Sequence, residues 1–75
     1  MTNVNAVTEL TKYLYKIPEA MALLSMSRTV IYEQMRTGRL RSVQQGRARL
    51  IPVSAIHDYV ALLEKEAEVH YGETA

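Results

Sequence analysis

Three residues, Ser25-Met26-Ser27, separate two stretches that each read as a short helix, and this spacing constrains the chain more than any other feature. Upstream, Pro18 suits a first helical position, where its missing N–H leaves no bond unmade. The helix predicted from Pro18 to Leu24 turns Ala20, Leu23 and Leu24 toward a core, at helical spacing from Ile17. Downstream, Ser27 is a good N-cap, because its hydroxyl can accept an orphan N–H of the next helix. That helix, Arg28 to about Thr37, buries Ile31 and Met35 and stops at Gly38, a natural left-handed C-cap. Two helices joined across so short a turn form a helix-turn-helix.

The next segment changes period. Ser42-Val43-Gln44 and Ala48-Arg49-Leu50-Ile51 are strand candidates, and Gln45-Gly46-Arg47 offers a glycine for the positive φ of a tight hairpin. Pro52 ends the second strand, having no N–H for the ladder. Ser54 is expected to cap a third helix, about Ala55 to Glu68, with Ile56, Tyr59, Val60, Leu63 and Ala67 on one face. Tyr13-Leu14-Tyr15 leads into the first helix and is short, aromatic and suited to an extended conformation. The fold class expected is mainly α with a small β-hairpin, a winged helix-turn-helix over residues 13–69. Residues 1–12 are expected to form a flexible arm and 70–75 a frayed tail.

A chain of 75 residues leaves no room for a catalytic domain beside a binding one. Its hydrophobic content of 48% is enough for a packed core. The absence of cysteine excludes disulfides, thiolate metal sites and cysteine nucleophiles. Ser54, His57 and Asp58 fall within one turn at a helix start, where a cap explains the serine better than catalysis does. His57 and His70 lack metal-ligand spacing, so neither a metal nor another cofactor is expected. Met21, Met26 and Met35 read as core filler. No apolar run approaches a membrane span, and the opening MTNVNAVTELTK lacks a signal peptide's apolar block. A cytoplasmic protein that is not an enzyme is the expectation.

Charge is divided along the chain. From Arg28 to Arg49, six arginines (Arg28, Arg36, Arg39, Arg41, Arg47, Arg49) face Glu33 alone, whereas Asp58, Glu64, Glu66, Glu68 and Glu73 dominate the end. A basic middle made of arginine without lysine suits phosphates and guanine edges, because the guanidinium is a planar fork. The partner expected is double-stranded DNA. A recognition helix sets its N-terminal residues against base edges in the major groove. Here those are Ser27, Arg28 and Thr29, with Tyr32, Glu33 and Arg36 beyond. Arg28 could fork onto a guanine and Thr29 touch a thymine methyl or a phosphate. Glu33 could accept from a cytosine amine or instead orient an arginine. Tyr32 could reach a phosphate or half-bury against the wing. Gln45, Gly46, Arg47 and Arg49 form a wing suited to phosphates or a narrow minor groove. Arg39 and Arg41 would clamp the backbone between helix and wing. Four or five such contacts would give log affinity against log salt a slope of about −4.

The run from Tyr15 to Tyr59 resembles the excisionase-type helix-turn-helix domains, small relatives of the MerR-type winged helix. The resemblance is carried by Tyr15, Ile17 and Glu19-Ala20, then Ser27-Arg28 and Tyr32. Arg36 to Leu40 (Arg-x-Gly-x-Leu) and Gly46 to Pro52 (Gly-Arg-x-Arg-x-Ile-Pro) complete it. Two positions depart from the family pattern. Lys16 stands where Ser or Thr would complete a capping box with Glu19, which weakens that helix start, and Ser25 stands where the turn often has glycine. The resemblance implies a protein that binds tandem sites, bends attachment-site DNA and assists an integrase, a tyrosine or serine recombinase, in excising a mobile element. A small transcriptional repressor with the same fold is the competing expectation. A third helix of about four turns without sustained heptads favours the excisionase side over long-helix MerR-type activators. The acidic end could also let copies pack head to tail on DNA, a contact that does not close.

Overall fold

The computed structural model describes residues 12–74. The elements in order are strand β1 (Leu14–Lys16), helix α1 (Ile17–Leu24), helix α2 (Arg28–Arg36), strands β2 (Val43–Gln45) and β3 (Ala48–Pro52), and helix α3 (Val53–Thr74). The expected arm lies outside the described residues except at Lys12, which is paired with Glu19. Both short helices stand where the sequence places them, the first strand of the hairpin lies one residue later than expected, with Gln45 paired in β2 instead of in the turn, and the molecule is a winged helix-turn-helix.

The extended Tyr13–Tyr15 segment is more than a lead-in. β1 pairs antiparallel with β3, Leu14 opposite Pro52 and Lys16 opposite Leu50, giving a three-stranded sheet in the order β1-β3-β2. β2 pairs with β3 from Val43–Leu50 to Gln45–Ala48 across the two-residue turn Gly46-Arg47. Only Gly46 takes a positive φ there, 64°, the pattern of a type II′ turn, whose twist matches that of the strands. β3 runs into α3 without a loop. The Val53 N–H donates to the Tyr13 carbonyl at 2.8 Å, so a backbone acceptor does what a side-chain cap does elsewhere. α3 therefore starts two residues before the expected Ala55, and Ser54 lies within its first turn instead of capping it. The helix also continues past the expected Glu68, to Thr74.

The helix ends follow local chemistry. At α1 the N-cap is Lys16, whose side chain has no acceptor. The reciprocal half of a capping box survives, with the Lys16 N–H donating to Glu19 Oε1 at 2.8 Å. Lys12 and then this N–H hold the Glu19 carboxyl below its ordinary range. The expected weak start is thus stitched from the third residue of the helix. α1 closes with Ser25 in the left-handed region (φ 55°, ψ 47°), a conformation that disfavours a side chain. α2 opens on Ser27, whose Oγ accepts the Val30 N–H at 3.3 Å. It closes on Gly38 (φ 85°), with the Gly38 N–H on the Met35 carbonyl at 3.1 Å and the Leu40 N–H on the Gln34 carbonyl at 3.0 Å.

One core joins all three helices to the sheet: Ile17 and Ala20 from α1, Ile31 from α2, Leu40, Ile51 from β3, and Ala55, Ile56 and Tyr59 from α3. Met21, Met26 and Met35 pack against it, as their expected filling role requires. Full burial of a side chain such as Ile31 contributes roughly 1.5–3 kcal/mol. Four expected core positions are not in it. Leu23 is 56% exposed, Val60 37% and Leu63 40%, because no element among the described residues covers those faces of α1 and α3. Ala67 is exposed as well. Leu23, Leu24, Tyr15, Val60 and Ala61 instead line an open, mostly apolar groove of about 540 Å³.

Candidate nucleic-acid interface

The Ser27 cap aims the start of α2 outward while Ile31, one turn later, is fully buried and fixes the helix axis. Arg28, Thr29, Tyr32, Glu33 and Arg36 consequently all lie on the exposed side. Arg28 stacks over the Tyr32 ring at 5.9 Å, a cation–π contact that steadies its long side chain. Tyr32 is 44% exposed and keeps an open edge. Glu33 accepts from Arg36 Nη2 at 2.7 Å, one turn along the helix. Of the two roles expected for Glu33, orienting an arginine is the one that this contact displays. The hydrogen bond from Arg36 holds the Glu33 carboxyl below its ordinary range, and Glu33 in turn raises Arg36.

At the wing, Gln45, Gly46, Arg47 and Arg49 are all exposed. Gln44 Nε2 donates to the Gly46 carbonyl at 3.2 Å, bracing the turn from within. Arg49 makes one long hydrogen bond, to Ser42 Oγ at 3.4 Å. Among the described residues, no hydrogen bond or ion pair joins the α2 side chains to the wing tip. The two are separate exposed regions linked through the core.

Arg39 and Arg41, expected as backbone clamps, are engaged by carboxylates of the same chain. Arg39 forks onto Glu66, Nη1 to Oε2 at 2.7 Å and Nη2 to Oε1 at 3.0 Å, while its Nε donates to Gln34 Oε1 at 2.7 Å. The pair lowers Glu66 and raises Arg39 from their ordinary values. Arg41 Nη2 donates to Asp58 Oδ2 at 2.6 Å. Gln34, Asp58 and Glu66 thus hold two arginines of the basic middle, a pairing that their own positions in the sequence do not announce. The signal available was the acidic bias of the last helix opposite the basic middle. Two of its carboxylates meet arginines of the same chain, which leaves less of the acidic end for the head-to-tail packing expected between copies.

Among the described residues, Arg28, Arg47 and Arg49 have no carboxylate partner. The same residues hold no cluster suited to a metal ion, and no helix among them is long and apolar enough to cross a membrane.

A short turn between two helices, an exposed arginine at the start of the second and a glycine-tipped hairpin after it define a winged helix-turn-helix protein. The family described as a helix-turn-helix domain matches residues 14–61. The chain is also 37% identical over 54 residues to a protein of Streptomyces ambofaciens named Excisionase, covering 72% of this chain and 87% of that one. No solved structure matches the chain significantly. The chain belongs to the excisionase-type family of helix-turn-helix proteins.

Proposed function

We propose that this protein is an excisionase that reads double-stranded DNA at an attachment site, bends it and assists an integrase in excising a mobile element. The observation that carries the reading is the start of α2. Its Ser27 cap, the buried Ile31 beneath it and the exposed Arg28-Thr29 pair are the arrangement that base reading in the major groove requires. Arg28 forks onto a guanine, held in place by Tyr32, and Thr29 meets a thymine methyl or a phosphate. Arg36, tied to Glu33, lies further along the groove. Arg47 and Arg49 grip the backbone or enter a narrow minor groove. The relative named Excisionase supports recombination as the setting.

The second reading is a small transcriptional repressor with the same fold. α3 has 22 residues, about six turns, so the expected short third helix no longer argues against a role in transcription. A footprint with a bending assay on attachment-site DNA decides between them. Several adjacent protected repeats with a strong bend establish the excisionase. A single short palindrome, protected without a bend, establishes the repressor.

A further inference from the structure

Arg39 and Arg41 follow α2 and precede the wing, so they lie in the chain between the two regions expected to touch DNA. Both guanidinium groups are held by carboxylates of α3, whereas Arg28, Arg47 and Arg49 are not, among the described residues. The Arg39–Glu66 contact is bidentate, the same fork that arginine presents to a phosphate. Both pairs are open to solvent: side-chain exposure is 35% and 47% for Arg39 and Glu66, and 54% and 72% for Arg41 and Asp58. Pairs so exposed are weak enough to be exchanged for another anion.

We infer that Asp58 and Glu66 are built-in competitors of the DNA backbone, holding Arg41 and Arg39 off phosphate and so setting the affinity of the domain. This rests on the DNA-binding reading above. The helix whose first turns complete the core thus carries surrogates for the ligand. In weak encounters with arbitrary DNA, Arg28, Arg47 and Arg49 provide the attraction while the other two arginines stay paired. A phosphate correctly placed beside α2 displaces the carboxylates and recruits them. The device lowers affinity for all DNA and concentrates the remaining attraction on helix start and wing. The Arg39 pair, less exposed and buttressed by Gln34, is the harder of the two to exchange.

The test compares Asp58→Asn and Glu66→Gln with Glu68→Gln, which removes an exposed carboxylate of the same helix that pairs with no arginine among the described residues. Binding to a fixed duplex is measured by fluorescence anisotropy across a salt series, after circular dichroism confirms the fold of each variant. Asp58→Asn and Glu66→Gln are expected to tighten binding about threefold to tenfold near 0.1 M salt. Each should also steepen the salt slope by about one. Glu68→Gln is expected to change affinity less than about twofold. An equal rise in Glu68→Gln would overturn the inference, because overall charge alone would then explain it. Unchanged or weaker binding in the two test variants would overturn it as well, since the pairs would then be inert or would orient the arginines for contact. Should Glu66→Gln disturb the helix, Asp58→Asn at the more exposed pair decides alone. A wild-type protein that binds no duplex overturns the DNA-binding reading itself, which keeps the two failures apart.

Discussion

α2 and the wing are held in opposite ways. α2 is capped at both ends, anchored by a fully buried Ile31 and by its own Met35 packed on the core, with Met26 packed there just before it. β2 exposes all three of its residues and, among the described residues, pairs with β3 alone at the edge of the sheet. A base edge is recognised only by donors set at a fixed position, whereas phosphates form a continuous rail that an adjustable arm can grip. The rigid part is therefore the one suited to reading sequence, and the loosely held part the one suited to gripping backbone.

Ile31→Ala breaks the comparison at its stiffest point. It should cost about 2–5 kcal/mol, comparable to the whole stability of a domain this small, and abolish cooperative thermal unfolding followed by circular dichroism. Val43→Thr in the wing should stay within about 0.5 kcal/mol. Similar losses at the two positions would show that the wing is as firmly held as the helix. Next in size is Arg28→Ala, expected to erase preference at one base pair, about 1–3 kcal/mol of discrimination, in binding to a panel of singly substituted sites. Arg47→Ala should instead weaken every sequence alike and flatten the salt slope by about 0.9. If Arg28→Ala and Arg47→Ala behave the same way, helix and wing do not divide the work.

Ser25→Gly sharpens the comparison from the other side. It relieves the positive φ between α1 and α2 and should raise stability by about 1 kcal/mol without changing the salt slope. The smallest effect is that of pH. Glu19, Glu33 and Glu66 have carboxyls lowered from the ordinary 4.5, and all three brace helices, none the wing. A carboxyl lowered in the folded state binds protons less readily than in the unfolded chain. Its contribution is therefore present above 4.5 and lost as pH falls through and below that value. Thermal midpoints should be flat near neutrality and decline modestly in acid, and Glu19→Gln should shrink that decline.

What the sequence revealed was governed by neighbours close along the chain. Ser27, Gly38 and Gly46 were legible because caps and tight turns depend on a few adjacent residues. The third strand was not, because Leu14-Tyr15-Lys16 is too short to show a period and its partner β3 lies beyond both helices. The apolar spacing of Leu23, Val60 and Leu63 says that a face is apolar, not that anything covers it. The exposed arginines of the site were read from charge and position. Their sorting into engaged and open ones was hidden, because Glu66 and Asp58 reach Arg39 and Arg41 only once the chain has folded.

The pairing of Leu14 with Pro52, and of the Val53 N–H with Tyr13, also predicts an order of assembly. The hairpin of β2 and β3 closes locally, on the microsecond scale usual for a two-residue turn. β1 reaches β3 only after the intervening helices have compacted enough to offset the entropy of closing so long a loop. The sheet should therefore be completed late in folding. A truncation or fusion that disturbs Tyr13 would then be felt at the central strand, in faster unfolding and in faster amide exchange along β3.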